Sequence, residues 1–343
     1  MTATDLKMTA RALVGAGKGI LAADETMQTV SKRLDAASIA AIPDNRRAYR
    51  ELFFTTPGIS EFISGVILHD ETMRQNSSSG PAFIDVLLRH GILGGIKVDD
   101  GTRALAGSHG EAITEGLDGL NDRLAEYREL GARFAKWRAV FVVSGTLPSA
   151  ACTHANAHAL ARFAAMCQEQ RLVPIIEPEV LREGAHSIER CEEVTGQVLH
   201  AVFDALHDQG VYLEAMLLMP NMVTAGSEYA MRPTIEDVAT ATVRCFRRHV
   251  PAAVPGIVFL SGGQDHLAAT TYLNAINRLT TPKPWTLTFS YGRALQNEAL
   301  MEWRGKPANL KAAQAAFAHR SRCCSAAALG RYTSAMEHEP AIV

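Results

Sequence analysis

The run LVPIIEPE, Leu172–Glu179, decides the fold. It is short, largely apolar rather than alternating, and it ends in two carboxylates, which suits a strand of a parallel sheet covered on its outer face. Working outward, the same design recurs, usually entered from a Gly-containing turn and ending in polar residues. Before it come Ile20–Glu25 (ILAADE), Gly65–Asp70 (GVILHD), Gly94–Asp100 (GGIKVDD) and Ala132–Arg138 (ARFAKWR). After it come Ala215–Met222 (AMLLMPNM), Gly256–Gly262 (GIVFLSG) and Thr286–Arg293 (TLTFSYGR). Between them, residues 157–169, 187–207 and 234–249 place apolar side chains at three-to-four spacing, with acidic residues toward several of their starts.

Eight β-α units predict an α/β fold, a single (β/α)8 TIM barrel, with a doubly wound open sheet as the alternative. The expected organisation is an N-terminal extension over residues 1–19, the barrel over 20–330 and a C-terminal tail over 331–343. Asn76–Gly80 and Val143–Ser149 read as loops, and nothing reads as an internal repeat, a low-complexity tract or a linker. In such a barrel the strand C-termini carry the chemistry. Polar residues stand there: Asp24 and Glu25, Asp70, Lys97 and Asp99, Lys136 and Arg138, Glu177 and Glu179, Asn221, Ser261, and Ser290 with Arg293.

Composition agrees with a folded protein of 343 residues, 47% hydrophobic and 20% charged. Thirty-four Lys plus Arg against 36 Asp plus Glu leave a net charge of -2, so the whole-chain field offers no footprint for nucleic acid or an anionic membrane. Any anionic ligand has to be met locally. No stretch approaches a membrane span and the N-terminus does not read as a leader, so a cytoplasmic location is expected. The six cysteines, Cys323 and Cys324 adjacent among them, are spread without CxxC pairs and read as reduced, buried thiols.

Three groups of residues carry chemistry. The first is LSGGQ, Leu260–Gln264, with SYGR, Ser290–Arg293, at the ends of strands seven and eight, where barrels often bind phosphate. Gly262 and Gly263 let backbone N–H groups approach an anion, the Ser261 hydroxyl donates and Arg293 adds a charged fork. The bland alternative is a tight turn plus a surface arginine. A second basic group, Lys32 and Arg33, follows the first strand through Thr26 and Thr29, and Lys97 joins it from strand three. It reads either as a second phosphate site or, for Lys32 and Arg33, as a solvated helix face. Third, Lys136, Arg138, Glu177 and Glu179 form an acid, base and cation set. A lysine beside other cations is expected to have a lowered pKa and a glutamate in an apolar barrel mouth a raised one, although structural ion pairs perturb the same groups. His154 and His158 have the spacing of a helical metal pair but lack an HExxH glutamate and a third ligand, so no metal is expected.

At this point the motifs resemble one family, the class I, Schiff-base fructose-bisphosphate aldolases. The resemblance spans nearly the whole chain through GKGILAADE, NRRAY, GIKVD, GLDGL, FAKWR, PIIEPE, LLMPNMVTAG, FLSGGQ, LNAIN, KPWTLTFSYGRALQ and NLKAAQ, in that order. It implies cleavage of fructose 1,6-bisphosphate into dihydroxyacetone phosphate and glyceraldehyde 3-phosphate, without metal or cofactor, in a cytoplasmic tetramer. By matching motif, Asp24 would work on the C4 hydroxyl and Glu177, with Glu179 beside it, would be the acid/base of carbinolamine dehydration. Lys136 would lower the nucleophile's pKa. Arg138 and Lys97 would meet the distal phosphate end, Ser261, Gly262, Gly292 and Arg293 the C1 phosphate, with Gly263 and Ser290 beside them, and Lys32 and Arg33 would line the site.

The decisive departure falls at strand six, where the family reads LLKPNM and this chain reads LLMPNM. Met219 occupies the Schiff-base lysine position, and a thioether offers neither nucleophile nor proton. Methionine has nearly the length of a lysine stem, so fold and phosphate sites should survive. Three accounts follow: an engineered near-isosteric knockout that still binds ligand, a natural non-catalytic sugar-phosphate-binding or scaffold protein, or an enzyme rerouted through another amine such as Lys136. Another phosphorylated ketose as substrate is a further reading. A second departure is the C-terminus, EPAIV, without the tyrosine that ends many animal members; the last tyrosine is Tyr332.

Overall fold

The computed structural model describes residues 3–339. The last four residues of the EPAIV terminus therefore lie outside the described residues. In chain order the strands are β1 (Gly19–Ala23), β2 (Ile63–Leu68), β3 (Leu93–Lys97), β4 (Thr102–Ala104), β5 (Ala112–Thr114), β6 (Phe134–Phe141), β7 (Val173–Val180), β8 (Leu217–Leu218), β9 (Gly256–Phe259) and β10 (Thr286–Tyr291). Eight of them close into a parallel barrel in the order β1-β10-β9-β8-β7-β6-β3-β2, with helices between successive strands. The architecture is the (β/α)8 barrel expected from the eight apolar runs, and each run supplies one barrel strand.

Side chains alternate along every strand, and this parity organises the molecule. Ile20 and Ala22, Ile67, Phe134, Val173 and Ile175, Leu217, Val258 and Leu260 point inward and form one apolar cluster. Their neighbours Leu21, Ala23, Trp137, Ile176, Leu218 and Phe259 point outward and join the larger core beneath the helices. The Phe134 ring crosses the interior where β3 presents Gly95, whose place a Cβ could take only at 2.3 Å from that ring.

The segments expected to flank the barrel are bound to it. Helix Ala3–Leu13 lays Leu6, Ala10 and Leu13, followed by Val14, against the inward cluster at the end opposite the functional strand ends, and Ser64 Oγ donates to the Leu13 carbonyl. At the other terminus, fully buried Arg320 meets the Glu337 carboxylate through two 2.7 Å hydrogen bonds, and the Tyr332 hydroxyl donates to it at 2.6 Å.

Two local differences from the sequence reading have physical causes. Strand β8 keeps only two residues of the run Ala215–Met222, because Pro220 has no N–H for a ladder. The Asn221 side chain takes over, accepting from the Val180 amide at 2.9 Å. The β4–β5 hairpin was not anticipated; its three-residue strands are too short for a periodic signal.

Candidate active site

Carrying the inward parity past each strand's last apolar residue generates the site. Ile20 and Ala22 lead to Asp24, Phe134 to Lys136 and Arg138, Ile175 to Glu177 and Glu179, Leu217 to Met219, Gly95 to Lys97 and Asp99. Register brings them together: Lys97 is paired with Lys136 and Arg138 with Glu177. They line a cavity of about 370 Å³ at the C-terminal mouth, together with Thr26, Thr29, Arg33, Ser261, Gly262, Gly263, Ser290, Gly292 and Arg293.

At the centre stands Lys136, buried, with its Nζ 2.7 Å from Asp24 Oδ2 and 2.7 Å from Glu177 Oε2. Burial alone would drive the ammonium to lose its proton, but the two carboxylates outweigh it and hold Lys136 above its ordinary pKa. This corrects the expectation of a lowered lysine: its decisive neighbours are acids from β1 and β7, not cations. Burial likewise opposes ionisation of Asp24, yet Lys136, and beyond it Lys97, keep that carboxyl below its usual value. Glu177 goes the other way, as expected; burial pushes it up to about 7 against the pull of Lys136 and Arg138.

Around this centre the remaining cations, Arg293 apart, are tied. Lys97 pairs with Asp99, whose other oxygen accepts from the Arg138 amide at 3.2 Å. Arg138 donates through Nε to Glu179 at 2.6 Å. Arg33 pairs with Glu25 and donates to Gln296 at 3.1 Å and Asn297 at 3.0 Å, while Glu25 also meets buried Arg50 at 2.7 Å. Arg293 has no ion-pair partner among the described residues. Its guanidinium lies 3.7 Å from where a Cβ on Gly263 would stand. Gly262 and Gly263 both take positive φ, +52° and +75°, a turn that favours glycine and forms the kind of backbone concavity that receives anions. Helix Arg293–Trp303 starts there, after Gly292, and buried Ser290 Oγ has no partner of its own.

The two sequence segments paired as a phosphate site are thus brought together. Thr26 caps helix Met27–Ala36 by accepting from the Thr29 amide at 3.2 Å, and both threonines stand at the rim. Lys32 does not reach the cavity lining; its side chain is exposed on that helix. His154 and His158 are exposed on helix Ala150–Glu169, and all six cysteines are free and buried. Tyr332 is engaged with Glu337 and is not among the lining residues.

Sequence reasoning placed Asp99 among the polar strand ends but assigned it no specific part, although it stands two residues beyond Lys97 on the same strand face. It also gave none to Gln296, which is buried, donates to the Ala22 carbonyl at 2.6 Å and accepts from the Tyr49 hydroxyl at 2.8 Å. Only tertiary contacts mark Gln296 out.

Met219 is 3% exposed, sits in the inward apolar cluster and forms part of the cavity wall. Its amide donates to the Ile176 carbonyl at 2.8 Å, so the backbone continues the barrel ladder there.

Known proteins resemble this chain along nearly its whole length. A family model described as fructose-bisphosphate aldolase class-I matches residues 5–342. Fructose-bisphosphate aldolase 4, cytosolic, of Arabidopsis thaliana is 54% identical over 316 residues, covering 92% of this chain and 80% of the relative. A probable fructose-bisphosphate aldolase class 1 of Xanthomonas axonopodis pv. citri is 50% identical over 333 residues, with 97% and 99% covered. The fructose-bisphosphate aldolase of Plasmodium falciparum, solved in complex with TRAP and a small-molecule inhibitor, superposes with a TM-score of 0.95 at 49% identity and 96% coverage of both chains. With the barrel, the ordered motifs and these relatives in accord over nearly its full length, the chain belongs to the class I fructose-bisphosphate aldolase family.

Proposed function

We propose that this chain binds phosphorylated ketoses, with fructose 1,6-bisphosphate as the parent substrate, but cannot cleave them through an imine. The observation that carries this reading is Met219 in the wall of a cavity that otherwise keeps acid, base and cations. An imine forms when a neutral primary amine attacks the ketose carbonyl, and a thioether has no such electron pair and proton to exchange. Rerouting through Lys136 is disfavoured, because its acidic surroundings, Asp24 foremost, hold it above its ordinary pKa as an ammonium, which is no nucleophile. Lys97 is engaged by the Asp99 carboxylate and carbonyl.

In this reading the C1 phosphate lies against Ser261, Gly262, Gly263, Ser290, Gly292 and the unpaired Arg293. The distal end faces Lys97, Arg138, Arg33, Thr26 and Thr29. Asp24 orients the C4 hydroxyl, and Glu177, with Glu179 beside it, is the proton donor near neutral pH. None of these roles calls for a metal or a cofactor. A purely structural scaffold is a poorer account, since a buried ammonium between two carboxylates is costly to keep for packing alone. A homotetramer in the cytoplasm, as the family resemblance implies, completes the proposal; two Arabidopsis thaliana relatives are named cytosolic, and no helix among the described residues is long and apolar enough to cross a membrane.

The test is a coupled assay of fructose 1,6-bisphosphate cleavage on this chain and on Met219→Lys. The lysine form should turn over, with the unaltered chain slower by roughly three or more powers of ten, the scale of other nucleophile deletions. Equal turnover would refute the reading, and silence in both forms would displace the substrate assignment.

A further inference from the structure

We propose that the cavity enolises a three-carbon phosphorylated hydroxyketone without covalent attachment, because the Lys136 ammonium stands between the Asp24 carboxylate and the Glu177 carboxyl group, 2.7 Å from each, in the wall of the cavity that contains the anion cradle. The inference rests on the ketose-phosphate reading of the site and adds an activity to it.

An ammonium has three N–H donors. Asp24 and Glu177 are the two ion-pair contacts of Lys136 among the described residues, which leaves donor capacity for a ligand oxygen. A carbonyl placed there, its phosphate held by Arg293 and the Gly262–Gly263 turn, meets a fixed positive charge beside an ionised base. The apolar wall of Met219, Ala22 and Leu260 excludes water on one side and strengthens that field.

The step balances without any other reagent. The C–H bond beside the carbonyl breaks and its proton passes to the Asp24 carboxylate. The freed electron pair forms a C=C bond, and the carbonyl π pair moves onto oxygen, where Lys136 faces the charge. Glu177, which burial raises to about 7, can lend a proton to that oxygen from its protonated form and take it back. Asp24 then returns a proton exchanged with solvent and the ketone re-forms. The net event is hydrogen exchange at one carbon, with nothing oxidised or reduced.

Dihydroxyacetone phosphate in D2O is the probe. Loss of its hydroxymethyl C–H signal is followed by proton NMR, binding is titrated by calorimetry, and intact mass is recorded after borohydride. The unaltered chain should bind the probe, exchange it at least about tenfold faster than buffer, and gain no mass. Asp24→Asn, purified identically, should exchange at the buffer rate, which also exposes a contaminating isomerase. If that variant does not fold, Arg293→Ala, at an exposed position, should lose binding and exchange together. Binding with exchange at the buffer rate overturns the inference and leaves the ketose-phosphate reading standing. A mass gain after borohydride, or full exchange in Asp24→Asn, also overturns it. Failure to bind the probe at all overturns the ketose-phosphate reading itself.

Discussion

Glu177 and Lys136 show how much of a residue's behaviour comes from side chains far away in sequence. Polar strand ends were legible as the chemical face of the barrel, and Glu177 behaves as its apolar setting suggests. Lys136 does not, because the acids that hold it, Asp24 and Glu177, arrive from other strands and only the barrel register makes them its neighbours. The charge states have a measurable sign. A carboxyl raised from near 4.5 to about 7 contributes stability below its unfolded value, and that contribution is lost as pH rises through about 7. Glu177→Gln stays neutral throughout. Its thermal midpoint should therefore improve relative to the unaltered chain as pH is raised from 5 to 8, measured by calorimetry at matched ionic strength. A flat difference over that range would mean that Glu177 is already ionised against Lys136 at pH 5.

Among elements, the barrel strands were readable because a buried parallel strand is a compact apolar run; two of the helices read from periodicity start at the capping residues Ser187 and Thr234, whereas the one read over 157–169 begins at Ala150, behind the Ser149 cap. The hairpin over the mouth had no such signature; it is specified by a side chain outside the ladder. Buried Glu111 accepts from the Ser149 amide at 2.7 Å, from the Ser149 hydroxyl at 2.6 Å and from the Ser108 hydroxyl, pinning β5 to the start of helix Ala150–Glu169. Replacing it with alanine leaves those donors unmatched, at about 1–3 kcal/mol. Hydrogen exchange should quicken over residues 102–114 in Glu111→Ala while β6 and β7 keep their protection. Uniform loss of protection would show that the hairpin is part of the global folding unit.

At the scale of the molecule, the barrel has an apolar floor and a charged roof. The floor was partly hidden from sequence reading because residues 1–19 looked like an appendage, whereas Leu13 is fully buried and a Cβ on Gly65 would lie 2.7 Å from its side chain. Leu13→Ala should lower stability by about 2–5 kcal/mol in urea unfolding. In a Met219→Lys background it should leave KM for the ketose bisphosphate within about twofold, since floor and mouth are at opposite ends. A large rise in KM would mean the two ends are mechanically linked. On the proposed reading, Met219 meets the floor's requirement for apolar volume and fails only the roof's requirement for an amine, so the whole cost of the exchange falls on chemistry and none of it on the fold.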